Sequence, residues 1–145
     1  MDPFSIVSFV VLILLSMFFS GSETALTSIP QHKVDTLCKQ HKRWAKYLKY
    51  CKKENDKVLM AILIWNNIVN IGSASLATAI SIGIAEWINF NQWLVVWIAT
   101  AVVTILILIF WEIVTKTYAQ QNCESISLKI APFYFYFTKI LSPII

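Results

Sequence analysis

No lysine or arginine lies between Val58 and Thr115. Charged residues of either sign make up only 14% of the 145-residue chain, against 57% hydrophobic residues, a balance that excludes an ordinary water-soluble domain. Glycine is scarce as well: the chain has three, and none forms the glycine-rich loop that cradles a nucleotide phosphate. Two histidines and three cysteines are present, and the spacing of Cys38, Cys51 and Cys123 fits no metal motif. The cationic residues that do occur are crowded, nine of the twelve falling between Lys33 and Lys57.

What remains is long apolar sequence. Crossing about 30 Å of hydrocarbon takes roughly 20 apolar residues in a helix, and three stretches reach that length, at about 4–26, 58–85 and 93–115. Met1-Asp2-Pro3 lacks the cationic start of a signal peptide, and Glu23 is an odd neighbour for a cleavage site, so the first stretch reads as a retained span. The basic loop joining the first two spans belongs in the cytoplasm by the positive-inside rule. That places the N-terminus outside and the C-terminus inside a multi-pass protein of the cell membrane. Lys116, Lys129 and Lys139 agree with this orientation, and "EWINFNQW", residues 86–93, reads as a short outer turn with aromatic anchors.

Within the basic segment, about 30–55, Val34, Leu37, Cys38, Trp44, Leu48 and Cys51 recur at helical spacing. The opposite face carries Lys33, Lys39, Lys42, Arg43, Lys46 and Lys49, the pattern of a helix lying in the headgroup plane against anionic lipid. Pro30 suits the start of a new helix bent away from the first span. A segment tethered to the membrane at both ends is not a nucleic-acid site, and His32 and His41 read as solvated members of the polar face. The cysteines fall on the reducing cytoplasmic side, as small packing groups or sites of acylation.

Polar groups inside the spans need an explanation of their own. "FFSGSETALTS", residues 18–28, puts Glu23 where hydrocarbon is expected; "WNNIVN" holds Asn66, Asn67 and Asn70; and Glu112 ends the third span. An ionised carboxylate in a bilayer costs at least about 2.5 kcal/mol and therefore faces a partner, a cavity or an ion. Counted along helices from the inner boundary, Ser20 and Asn70 lie roughly 15 to 18 Å deep, and Asn66 shares a face with Asn70. Hydroxyl, amide and carboxylate oxygens are hard ligands suited to Mg²⁺ or Ca²⁺. The same Ser, Thr and Asn side chains can instead join helices by hydrogen bonds, assisted by the small-residue run "GSASLATA", 72–79. Composition leaves both readings open. An enzyme is not indicated, because no nucleophile, histidine or cofactor motif accompanies Glu23 and Glu112 within the spans.

"FFSGSETALTS", the basic amphipathic segment, "NNIVN" and "FWEIVTKTYAQQN", in that order and spacing, resemble the transmembrane domain of the CorB/CorC and CNNM magnesium transport family. The resemblance implies an all-α membrane domain over residues 1–145. It would comprise three transmembrane helices and amphipathic juxtamembrane helices on the cytoplasmic side, assembled as a homodimer, while the aromatic, proline-bounded closing stretch "APFYFYFTKILSPII" reads for itself as part of an interfacial C-terminal segment at about 122–145. The resemblance further implies Mg²⁺ export, with Na⁺ as the coupling ion, through a site whose ligands by motif are Ser20, Asn70 and Glu112. Ser22, Glu23 and Thr24, through side chains or freed carbonyls, and Asn66 are further candidates. A non-transporting scaffold or Mg²⁺ sensor is the alternative. Relatives continue into a cytoplasmic nucleotide-binding regulatory module, which this sequence does not contain, so such a domain would lie outside the chain. The family often has glycine where this chain has Trp65 and Trp111, and proline where it has Thr115. Threonine keeps the backbone N–H that proline lacks, which predicts a weaker helix break beside Glu112.

The orientation is checked by labelling intact cells with a membrane-impermeant thiol reagent. Cys38, Cys51 and Cys123 should all escape modification; labelling of Cys38 from outside would reverse the topology.

Overall fold

The computed structural model describes residues 3–88, 91–141 and 143, and all regular structure among these is helical. The elements are α1 (Pro3–Ser28), α2 (Gln31–Lys39), α3 (Ala45–Lys53), α4 (Asn55–Ile88), α5 (Gln92–Ile105), a π-helical segment (Leu106–Trp111), α6 (Glu112–Gln121) and α7 (Cys123–Leu141). Helix α1, and α4 from Asn55 to Ile84, are long and apolar enough to cross a membrane; Trp93–Val102 is a shorter apolar helix. These match the first two expected spans closely. The third is a composite of α5, the π segment and the start of α6. Asn89 and Phe90 of the expected outer turn lie outside the described residues.

The chain divides into two compact units, Met1–Phe18 with Asn66–Val114, and Phe19–Trp65 with Thr115–Ile145. In the first, Val69, Ser73, Ala77 and Ser81 recur every fourth residue along α4 and are all buried, a single helical stripe. The hydroxyls of Ser73 and Ser81 donate to the carbonyls of Val69 (2.9 Å) and Ala77 (2.8 Å), so the stripe presents little unsatisfied polarity to its neighbours. Gly72 marks a close approach: a Cβ there would lie 3.3 Å from Leu12 Cδ1 of α1. The small-residue run is thus partly consumed within the chain, while Ala74, Ser75 and Ala79 remain exposed.

The second unit has a core of Val34 and Leu37 from α2, Ala45, Leu48 and Cys51 from α3, and Ile130, Ala131 and Tyr134 from α7. Helix α3 packs chiefly on α7. Edge-to-face rings of Tyr47 and Tyr50 lie 5.0 and 4.8 Å from Phe135, an arrangement that adds to simple area burial. The segment after residue 122 is therefore an integral helix of this unit, and it carries Pro132 in its interior. Burial pushes the Cys51 thiol up to about 12, which keeps it a neutral packing group.

The stripe read across 34–51 is not one helix. Helix α2 ends in a Schellman turn, with Lys42 N–H on Leu37 O (3.2 Å) and His41 N–H on Cys38 O (3.2 Å). His41 takes the left-handed conformation (φ 51°) usually given to glycine, and Trp44, at φ 69°, starts α3. Trp44 consequently leaves the apolar stripe, is 38% exposed, and sits under the Arg43 guanidinium at 4.8 Å. Ala45 takes its place in the core.

A side chain in the left-handed region costs about 1–2 kcal/mol, partly offset by the greater unfolded-state freedom of glycine. His41→Gly should therefore raise stability by roughly 0.5–1 kcal/mol in reversible unfolding in mixed micelles. A loss of stability would mean that the imidazole makes a stabilising contact.

Candidate functional site

Helix α1 runs unbroken through "SGSET", so the carbonyls expected to be freed there stay within the helix. Thr24 Oγ1 donates to Ser20 O (3.0 Å), and Thr27 Oγ1 donates to Glu23 O (2.9 Å). Ser20 and Ser22 are each 2% exposed, while Glu23 and Thr24 are half-buried. Ser20 Oγ has no hydrogen-bond partner among the described residues, and neither has Thr115 Oγ1 of α6. Such a group, buried without compensation, costs about 1–3 kcal/mol. Gly21 lets α6 come close at this level, since a Cβ would stand 3.1 Å from Thr115 Cγ2. Tyr134 of α7 is fully buried in the same unit, and that burial pushes its titration upward.

In the other unit Ser16 Oγ donates to Asn70 Oδ1 at 2.7 Å. Ser16 was not singled out by sequence, although it lies one turn before Ser20 on the same face of α1. Asn66 is buried, its Oδ1 without a partner among the described residues, whereas Asn67, one position round the helix, is exposed. Glu112 is half-buried and follows directly on the π segment. The break near Glu112 is therefore made without proline, by π winding one step before it. π turns inside α-helices are rare and frequent at functional sites. Trp65 and Trp111 are 38% and 46% exposed, and Trp65 lies 5.9 Å from the Phe137 ring.

Among the described residues no three His, Cys, Asp or Glu side chains are grouped to hold a metal. A cation here would depend on hydroxyl and amide oxygens supplementing carboxylate, the donor set of a hard, partly hydrated ion.

The lysine face is less uniform than a lipid-facing stripe. Lys39, Lys42, Arg43 and Lys46 are exposed, but Lys49 lies 3.7 Å from Asp35. Lys33 pairs with Glu124 at 3.0 Å, and that hydrogen bond holds the ammonium above its ordinary value. The pair ties α2 to the first turn of α7, beside a cleft of about 360 Å³ that Lys42 and Asn122 also line. Lys52 turns inward and donates to Leu26 O at 2.8 Å, and Ser127 Oγ donates to Ala25 O at 3.0 Å.

An all-helical chain with two membrane-length apolar helices and buried serine and asparagine on them defines a membrane domain with a polar interior. Residues 7–145 match the family described as the cyclin M (CNNM) transmembrane N-terminal domain, and the chain belongs to that family of membrane domains, which is not a known enzyme family. It is 35% identical over 118 residues, 81% of its length, to a UPF0053 protein of Haemophilus influenzae, and covers 27% of that protein. It is 31% identical over 113 residues to the UPF0053 inner membrane protein YfjD of Escherichia coli, which is 78% of this chain and 25% of the relative. A UPF0053 protein of Synechocystis is 30% identical over 142 residues, 97% of this chain and 39% of the relative. The chain thus spans about a quarter of the length of the first two.

Removing the Ser16 hydroxyl leaves the Asn70 carbonyl without its donor. Ser16→Ala should lower stability by about 0.5–1.5 kcal/mol, and Ser16→Thr, which keeps the hydroxyl, should restore most of it in the same micelle unfolding assay. Equal losses for both variants would show that volume rather than the hydrogen bond matters there.

Proposed function

We infer that this domain moves Mg²⁺ across the cell membrane, outward and coupled to Na⁺, through a site whose oxygen ligands are Ser20, Asn70 and Glu112. The buried Ser20 hydroxyl without a protein partner, inside the "SGSET" motif of a CNNM-family membrane domain, carries this reading. A hydroxyl oxygen kept from both water and protein donors is suited to accept a cation or one of its waters. Ser22, Glu23, Thr24 and Asn66 extend the oxygen-rich surroundings, and Glu112 supplies the negative charge that makes binding a dication favourable.

The reading also comprises three spans, formed by α1, α4 and the composite α5–α6 helix, with the N-terminus outside and the C-terminus cytoplasmic. Two copies associate, using the exposed small residues Ala74, Ser75 and Ala79 for close helix approach. Lys39, Lys42, Arg43 and Lys46 face anionic headgroups. Any cytoplasmic regulatory domain would join beyond α7.

Mg²⁺ gives up water reluctantly and favours near-octahedral oxygens at 2.0–2.1 Å, so a site of a few neutral oxygens and one carboxylate suits a partly hydrated ion. Glu112→Gln keeps shape and one oxygen but removes the anion. Mg²⁺ binding by calorimetry should fall about tenfold or more, as for loss of a charged contact, with the folded state retained. Unchanged binding would move the charged ligand elsewhere, first to Glu23. Tighter binding of Ca²⁺ than Mg²⁺ would keep the site and reassign its ion. In liposomes loaded with a Mg²⁺-sensitive dye, flux supports a carrier, and binding without flux supports a sensor.

A further inference from the structure

Helix α1 ends in a way that leaves one carbonyl without its usual donor. In an α-helix the carbonyl of Leu26 would accept the N–H of residue 30, but residue 30 is proline and has none. Leu26 is 1% exposed, and Ile29 next to Pro30 is fully buried, which limits the water that could substitute. The last turn of α1 also carries no basic residue to meet the negative end of its own dipole. Lys52, from α3, supplies both missing elements: its ammonium donates to Leu26 O at 2.8 Å and brings a positive charge to the helix end. The neighbouring Ala25 carbonyl accepts Ile29 N–H at 3.3 Å and also the Ser127 hydroxyl of α7 at 3.0 Å. Tyr134, two turns further along α7, is fully buried. All of these residues belong to one compact unit.

We propose that Lys52 is a positioning residue for the "SGSET" turn: it replaces the donor that Pro30 removes and, with Ser127, fastens the end of α1 to α3 and α7. The angular setting of Ser20 and Ser22 then depends on helices outside the membrane. A displacement of α3 or α7 reaches the motif through hydrogen bonds to the Ala25 and Leu26 carbonyls that directly follow it on α1. Burial depresses the ionisation of Lys52, in keeping with an ammonium turned inward onto the α1 carbonyl. This role in cation binding rests on the functional reading above, while the mechanical role does not.

Hydrogen–deuterium exchange of the 145-residue chain in nanodiscs tests the mechanical part without any cation. Lys52→Met keeps the apolar stem but removes donor and charge; amides of residues 24–29 should exchange roughly tenfold faster, the consequence of losing a charge-assisted hydrogen bond. Residues 133–141 of α7 should keep their protection, which reports that the unit is folded. Lys52→Arg, which retains donor and charge, should restore protection at 24–29. Pro30→Ala supplies the missing N–H, so Lys52→Met should cost less protection in that background, a coupling read from the double-mutant cycle. Unchanged exchange in Lys52→Met, no rescue by arginine, or an equal effect in both Pro30 backgrounds would each overturn the proposal. Mg²⁺ binding, measured on the same samples, should weaken about tenfold in Lys52→Met and recover in Lys52→Arg. If wild-type protein bound no Mg²⁺ while the exchange results held, the functional reading would fall and the fastening would stand.

Discussion

Hydrocarbon offers no hydrogen bonds, so every backbone N–H and C=O placed in it must be answered by the protein itself. Helices answer the requirement internally for all but their last turns, and the organisation of this chain follows from where those turns fall. Helix α1 finishes at Ser28 and α4 begins at Asn55, next to the segment rich in lysine and hydroxyl groups. There, side chains take over from backbone, with Lys52 and Ser127 donating to the α1 carbonyls of Leu26 and Ala25. The second unit is best regarded as the structure required to finish the membrane helices properly.

Side-chain polarity within the spans is handled by two different means. Ser73, Ser75, Thr78 and Ser81 return their hydroxyls to carbonyls one turn back along α4, which removes them from further chemistry and lets a polar-looking sequence behave as a small apolar surface. Ser20 Oγ and Asn66 Oδ1 find no such partner among the described residues. Serine and threonine are equivalent in composition, so only the resolved hydrogen bonds separate the residues that serve packing from those left with bonding capacity.

Much of the architecture was legible because its signals are local. Apolar run length marked α1 and α4 within a few residues, and the amphipathic spacing between them marked the apolar face that α2 and α3 bury. The segment expected at about 122–145 is the helix α7, whose aromatic residues pack on α3. The motif resemblance was borne out by the family match. What escaped had non-local or concealed causes. The turn at 40–44 uses His41 where a sequence reader looks for glycine, so the apolar spacing seemed to run on through Trp44. Ser16, Lys52 and Ser127 meet partners 54, 26 and 102 positions away, distances over which sequence spacing carries no information.

The π winding of Leu106–Trp111 has a further consequence for how the stretch from α5 to α6 relates to its kin. A π turn is equivalent to one residue inserted into an α-helix without lengthening the loop on either side, so the chain beyond it is out of phase with the chain before it by about a hundred degrees. Faces assigned by counting in steps of 3.6 from Trp93 are therefore wrong for Glu112, Thr115 and Ala119, and are right again only if the count is restarted at residue 112. A relative that wound this stretch as plain α-helix would need one residue fewer there to present its glutamate in the same direction. A one-residue gap between residues 106 and 111 in a comparison of such sequences would then be the trace of a change in winding, with the direction of the carboxylate preserved.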